Sequence, residues 1–365
     1  MTNRTHTTSL LFGCGMLWAS FAVATTYTVS EGMVIQETID KAVSGDTIQV
    51  LPGDYQQAIR IDKDGLTVIG MEFQGIHAVL DGLDVYSTEK APRAISIEAN
   101  DVVCDGFHIR NFSSPAVEVL KRSNITLTKL DVHVDGDYGI LLEDVTPLQI
   151  TSTIVRGANE VGIALRRCQD AVLTRCEVYY NRIGVAMWDG VKSRIEGLSA
   201  HTNGMGILIA NTDGQPEKAE HTLILGARIL NTGTIHAPDA KTSAIPDYLQ
   251  GIGIRIVGAS HTEVAHCYFD NNGSVGVLTD QWIGSGDAEP YPAQHTYVHH
   301  NHYAGNGKAP SAGYAKAYPE FPGGDLYWDG EGRRNQWQEN GNLAVYPEKL
   351  ITKFGGVHTN VMHFQ

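Results

Sequence analysis

The sequence predicts an all-β solenoid, a single parallel β-helix with three strands and 22–23 residues per coil and a short N-terminal capping helix. Three observations carry this expectation. A small residue precedes a β-branched one at Ala94-Ile95, Ala116-Val117, Gly139-Ile140, Gly162-Ile163, Gly184-Val185, Gly206-Ile207, Gly253-Ile254 and Gly276-Val277. The steps between them are 22, 23, 23, 22, 22, 47 and 23 residues, a fixed period of the kind that marks a repeat fold. Each period holds three short alternating segments, such as Ile140–Leu142, Leu148–Ile150 and Thr153–Val155. Alternation turns one side of every strand inward. No coil can bury that side alone. Stacking sets Ile on Ile and Val on Val, and each backbone pairs with the coils above and below. The Gly before each strand is expected to serve a corner where φ > 0 is needed. Asn159, Asn181 and Asn203, at steps of 22, read as a turn ladder.

Taken in order, residues 1–24 read as a secretory signal peptide. Arg4 and His6 are polar, Leu10–Val23 is apolar, and Ala22-Val23-Ala24 is an A-x-A cleavage site. Cys14 after Gly13 also fits a lipidation site, although the apolar run continues past it. The mature protein is expected to be exported, periplasmic or extracellular, and monomeric, with no membrane span. The β-helix is expected over 25–340, in roughly ten coils. Val34–Val43 has apolar residues at helical spacing and reads as the cap over the first open edge. The step of 47 is one coil plus two insertions, Asp213–Glu220 and about Ile235–Leu249. A third insertion falls near Trp282–Pro292. Tyr303–Gly324 breaks the repeat, a last coil is expected at Asp325–Asn340, and 341–365 is a C-terminal cap or tail.

Lys and Arg total 27 against 41 Asp and Glu, a net charge of −14. Such an acidic chain is not expected to bind nucleic acid or an anionic membrane. Cys104, Cys168, Cys176 and Cys267 have no CxxC or zinc-type spacing and read as buried apolar residues. Export permits disulfides, and Cys168–Cys176 is the only pair close in sequence.

With the repeat laid out, the chain resembles the right-handed parallel β-helix superfamily, often called pectin-lyase-like. Its repeat looks like the type found in carbohydrate-binding proteins and sugar hydrolases. The opening Ile39–Gly70 carries the resemblance, through Gly45-Asp46-Thr47-Ile48, Pro52-Gly53-Asp54-Tyr55 and Leu66-Thr67-Val68-Ile69-Gly70. It covers about residues 28–340. The closing Gly324-Asp325-Leu326-Tyr327-Trp328-Asp329-Gly330 with Asn335-Gln336-Trp337-Gln338-Glu339-Asn340 is similar to a subgroup of exported β-helix proteins whose activity is unsettled. Relatives of the fold include pectate and alginate lyases, mannuronan epimerases and an accessory protein for copper loading of nitrous oxide reductase. The resemblance implies the fold and a polysaccharide or oligosaccharide partner. It leaves the activity and any cofactor open.

Function on such a scaffold lies on outward residues that stack between coils. Aligning Val132, Val155, Val178 and Ala200 as inward residues lines up His133, Arg156, Tyr179 and His201 outside, with Asp131 and Glu177 beside them. These types suit chemistry on uronate sugars. Arg neutralises a carboxylate and acidifies the adjacent C–H, Tyr or His removes the proton, and a carboxylate orients the His. Mannuronan epimerases carry Asp-Pro-His, whereas this chain has Asp131-Val132-His133 without the Pro. A second face stacks Glu143, Arg166 and Trp188 at steps of 23 and 22, with Arg167 adjacent. There Trp188 is a platform for a sugar ring, and either Arg can meet an acidic group. His221-Thr222, His261-Thr262 and His295-Thr296 recur in one context and read as turn positions, like Asn124. No metal site is assigned, but His266, His299, His300 and His302 are the histidines able to approach an ion. Two functional classes remain. One is a polysaccharide-associated protein, either a binder or a lyase or C5-epimerase. The other is a non-enzymatic, metal-associated accessory or interaction protein.

Overall fold

A computed structural model describes residues 24–83, 93–112, 115–212, 219–233, 246–283, 289–338, 340 and 344–346. The expected signal peptide up to Val23, Cys14 and the centres of the three insertions lie outside the described residues.

Three parallel sheets run the length of the molecule. We call sheet I the one holding Tyr138–Glu143, Val161–Arg166, Ile183–Trp188, Met205–Ala210, Ile252–Val257, Val275–Trp282 and Gly324–Trp328. Sheet II holds Leu148–Thr151 and its equivalents, and sheet III holds Ile154–Arg156 and its equivalents. Each coil visits I, II and III in turn, which is the predicted three-strand period. Ile140, Ile163, Val185, Ile207, Ile254 and Val277 are register partners from one coil to the next. All six are fully buried, so the repeat builds one apolar column per inward position.

The repeated Gly is required for a different reason from the expected one. Gly139, Gly162, Gly184 and Gly206 lie inside strands and are not among the residues with positive φ. A Cβ on Gly139 would stand 2.3 Å from Val155 Cγ1 and 2.7 Å from the Gly162 carbonyl oxygen. Space, not backbone conformation, excludes a side chain. The Asn ladder is corrected as well. Asn181 and Asn203 are fully buried, and Asn203 Oδ1 accepts the Asn181 amide at 2.9 Å. Asn181 Oδ1 accepts the amide of Ala158, not of Asn159, at 3.0 Å. Asn159 sits one residue off the ladder. The left-handed residue at these turns is the one before the Asn, namely Tyr180 and Thr202. The Asn side chain turns inward and satisfies backbone groups that the corner leaves unpaired.

The cap is helix α1, Ile35–Lys41, with Ile35 and Ile39 fully buried. Lys63 Nζ donates to the carbonyls of Ile39 at 2.9 Å and Ala42 at 3.0 Å, a cation at the negative helix end. Two insertion bounds change. Glu220 belongs to the sheet II strand Glu220–Leu225 and pairs with Val191 and Ser260. Trp282 ends a sheet I strand and pairs antiparallel with Tyr291. The coil expected at Asp325–Asn340 forms through Gly324–Trp328 and Gln336–Gln338, and where a cap or tail was expected a further sheet I strand, Val345–Tyr346, pairs with Leu326 and Tyr327. Between the repeat and that coil lies helix α2, Ala312–Ala317, whose Ser311 caps the amide of Tyr314. The four cysteines among the described residues, Cys104, Cys168, Cys176 and Cys267, are free and buried. Burial pushes the thiols up, to about 11 for Cys168 and Cys176 and about 12 for Cys104 and Cys267. Thiols held protonated in this way are poor nucleophiles and poor ligands.

Candidate functional site

The register assigned to sheet III from sequence is the one observed. His133 pairs with Arg156, Arg156 with Tyr179, and Tyr179 with His201. Asp131 and Glu177 lie in the neighbouring column, two rungs apart across Ile154. Arg156, Tyr179 and His201 form a contiguous stack. The Arg156 guanidinium lies 5.9 Å from the Tyr179 ring centre, and the Tyr179 and His201 rings stack at 5.0 Å, within 7° of parallel. Arg156 makes an ion pair with Asp131, and His201 Nε2 is 3.0 Å from Glu177 Oε1. Arg156 and His201 thus each already have a carboxylate partner. His133 points out to solvent at the end of the row. His108 approaches Asp131 from the other side at 4.0 Å. Burial lowers the His108 pKa, and the nearby Asp131 charge opposes that shift.

The second face also stacks as expected, with Glu143 beside Arg166 and Arg166 beside Trp188. Its internal pairing was not legible in sequence. Arg166 lies between two rings, 5.3 Å from Tyr138 and 5.2 Å from Trp188, and donates to the Tyr138 hydroxyl at 2.9 Å. Glu143 pairs with Arg167 and not with Arg166. Arg167 also donates to both Asp144 oxygens, at 2.8 and 3.0 Å, and these bonds hold the Asp144 carboxyl below its usual range. One face of Trp188 therefore carries a guanidinium.

The same outward column continues into a site that sequence reasoning missed. From Trp188 it passes to Ala210, Val257 and Asp280. There a cavity of about 420 Å³ opens on the outer side of sheet I, between Arg255, Asp280, Tyr318, Asp329, Tyr248 and Trp282. Arg255 Nη2 donates to Asp280 Oδ2 at 2.6 Å, and the Tyr318 hydroxyl donates to the same oxygen at 3.3 Å. Burial opposes the Arg255 charge, but the facing carboxylate outweighs it and holds the guanidinium ionised. Asp329 follows the strand Gly324–Trp328, and its oxygens accept the amides of Gln281 at 2.8 Å and Glu331 at 2.9 Å. Burial raises its pKa to about 6, with the Asp280 charge adding and the two amides opposing. A carboxyl that titrates near neutrality in a concave site is suited to proton transfer. Tyr248 and Tyr318 reach the cavity because Ser311 and Gly313 of the α2 segment hydrogen-bond to Asp247 in the turn Asp247–Leu249.

The histidines divide into separate groups. His299 and His300 meet through their Nδ1 atoms at 2.6 Å, and His299 Nε2 is 3.0 Å from Glu263. His266 stacks on His300 at 5.1 Å. His302 lies on sheet III against Tyr268 at 4.7 Å, so it does not join them. His221, His261 and His295 have φ of 59°, 52° and 55°, as their reading as turn positions requires. The His221 and His261 rings stack 4.6 Å apart, and His295 meets His261 at 4.4 Å with its ring tilted by 31°.

A family model described as "Right handed beta helix region" matches residues 57–223 and 115–313. The chain belongs to the right-handed β-helix family. Solved structures share the fold. The A-module of a mannuronan C-5 epimerase from Azotobacter vinelandii is 14% identical, with a TM-score of 0.55 over 84% of this chain and 89% of that one. A pectate lyase is 11% identical, with a TM-score of 0.50 over 89% and 80%. The enzymatically active domain of a tailspike protein from bacteriophage CBA120 is 12% identical, with a TM-score of 0.51 over 85% of this chain and 44% of that one. No curated protein matches in sequence. Among the described residues, no helix is long and apolar enough to cross a membrane.

Proposed function

We propose that this is an exported, polysaccharide-associated protein that takes a sugar chain along the outer face of sheet I, from Arg166 and Trp188 to the Arg255–Asp280 cavity. The observation that carries this reading is the continuity of one outward column. It runs through Glu143, Arg166, Trp188, Ala210, Val257 and Asp280 and ends in an aromatic-walled cavity; Ala210 and Val257 are buried, so the Trp188 end and the cavity are the parts of the column open to a ligand. From Trp188 to Asp280 is three rungs, about 14 Å at ~4.8 Å each. Aromatic faces receive the apolar side of sugar rings, and Asp329 is the group placed to exchange a proton at the cavity end. The shared fold of the mannuronan epimerase and the pectate lyase makes uronate polymers the first substrates to test.

The sheet III strip is the second reading, favoured by the unbroken contact of Arg156, Tyr179 and His201. Here Arg156 exchanges Asp131 for a substrate carboxylate, and Tyr179 or His201 removes the adjacent carbon-bound proton, giving lyase or C5-epimerase turnover. A non-enzymatic accessory role requires neither site to engage sugar.

One experiment separates these. Purified protein is presented to uronate and neutral polymers, with binding measured directly and unsaturated product followed by ultraviolet absorbance. Binding weakened by Trp188→Ala and Arg166→Ala supports the sheet I groove. Turnover lost in Arg156→Ala but kept in Trp188→Ala supports the strip. Absence of any binding overturns both.

A further inference from the structure

We propose that Glu220, His221 and His261 form a binding site for a divalent transition-metal ion of the zinc, cobalt or nickel class. One ligand atom from each residue lies within 4.8 Å of the other two. Glu220 bridges the imidazoles, with Oε1 3.8 Å from His221 Nδ1 and Oε2 3.8 Å from His261 Nδ1. Two imidazole nitrogens and one carboxylate suit a borderline ion and leave a coordination position open.

The scaffold sets this arrangement. The strand Glu220–Leu225 pairs with Ser260–Ala265, Glu220 opposite Ser260 and Thr222 opposite Thr262. His221 and His261 therefore stand one rung apart at the same corner, with ring planes 6° apart. Thr222 and Thr262 face inward and are buried, which pins both backbones. Ser260 Oγ lies at the edge of the same cluster, 3.4 Å from Glu220 Oε2 and 3.4 Å from His261 Nδ1, so an ion bound to those atoms would replace these contacts. Donor atoms around a four-coordinate ion stand about 3.3 Å apart, given bonds of ~2.0–2.2 Å. Each imidazole Nδ1 lies 3.8 Å from one oxygen of Glu220, and rotation of these partly exposed side chains would close the donors around one ion.

The turn itself does not explain the residue choice. Asp101 and Asn124 hold the same corner in earlier coils with the same left-handed backbone, joined by an amide-to-carboxylate bond of 2.8 Å. Short polar side chains meet that need. Imidazoles beside a glutamate supply metal ligands in addition.

The test uses the full chain without an affinity tag, stripped by chelator and titrated with Zn²⁺ by calorimetry and with Co²⁺ by visible absorption. We expect one ion per chain. His221→Asn and His261→Asn keep the left-handed turn, so their melts without metal should match the wild type. Each should weaken Zn²⁺ binding by about tenfold or more and reduce the cobalt d–d band. Glu220→Gln gives the same readout should either His variant fold poorly. No uptake at millimolar Zn²⁺ overturns the proposal. So does uptake unchanged in these variants and lost in His299→Asn or His300→Asn.

Discussion

Gly139 shows how tightly a single position is specified. A methyl group there meets Val155 Cγ1 and the Gly162 carbonyl at distances no relaxed structure tolerates. Gly139→Ala should cost about 1–3 kcal/mol, the usual range for overpacking, read as a lowered thermal midpoint. The period of this glycine was legible in sequence, but its cause was not. The clash comes from Val155 and from the next coil, both remote in sequence. Asp329 offers a residue-scale test of a different kind. Its folded pKa of about 6 lies above the ordinary ~3.9. The folded chain therefore keeps a proton that the unfolded chain releases between these values. The stability from this group is full below pH ~4 and is lost as pH rises to about 6. Asp329→Asn removes that slope. The melting difference between variant and wild type should move in the variant's favour from pH 4 to 6 and then level off.

At the scale of elements, the outward column of sheet I was legible for three rungs and then lost. Glu143, Arg166 and Trp188 are spaced at 23 and 22, but the step of 47 hides Val257 and Asp280 from any fixed-period alignment. Arg255 also gave no signal, because it interrupts an apolar strand as an isolated cation, Ile252–Val257. Its partner Asp280 stands one rung on, and Tyr318 arrives on the segment after α2, far along the chain. The His turn positions were legible because the next residue, Thr, repeats with them. The Asn ladder was misplaced by one residue at Ala158, because alignment by residue type cannot see which side chain turns inward. Asp280→Ala would leave the Arg255 charge buried and unpaired. Removing one partner of such a pair typically costs about 3–5 kcal/mol. The melt should drop accordingly, and Arg255→Met combined with Asp280→Ala should recover part of the loss.

For the whole molecule, three strips of side chains run parallel to the solenoid axis. One is on sheet I, one is on sheet III, and one is the histidine corner that opens sheet II. A solenoid keeps such strips independent, since each coil touches only its neighbours. Arg156→Ala should therefore cost about 10²–10³ in any uronate turnover, as for loss of one charge-stabilising donor. Tyr179→Phe should abolish that turnover and leave the melt unchanged, since only a hydroxyl is lost. Turnover that survives both changes would place the chemistry off sheet III.

The last coil also provides a local optical reporter. Trp328 and Trp337 are buried there with ring centres 5.1 Å apart, and every described tryptophan lies at residue 188 or beyond. In the chain without residues 1–24, which hold Trp18, tryptophan fluorescence therefore observes the C-terminal half, while far-ultraviolet circular dichroism averages over every rung. A chain that melts as one unit gives coincident transitions by the two probes. A stack that frays from its C-terminal end, as nearest-neighbour coupling permits, should show the emission shift at lower denaturant than the loss of β signal. Superposition of the two curves would mean that the coupling between rungs spans the full length of the molecule.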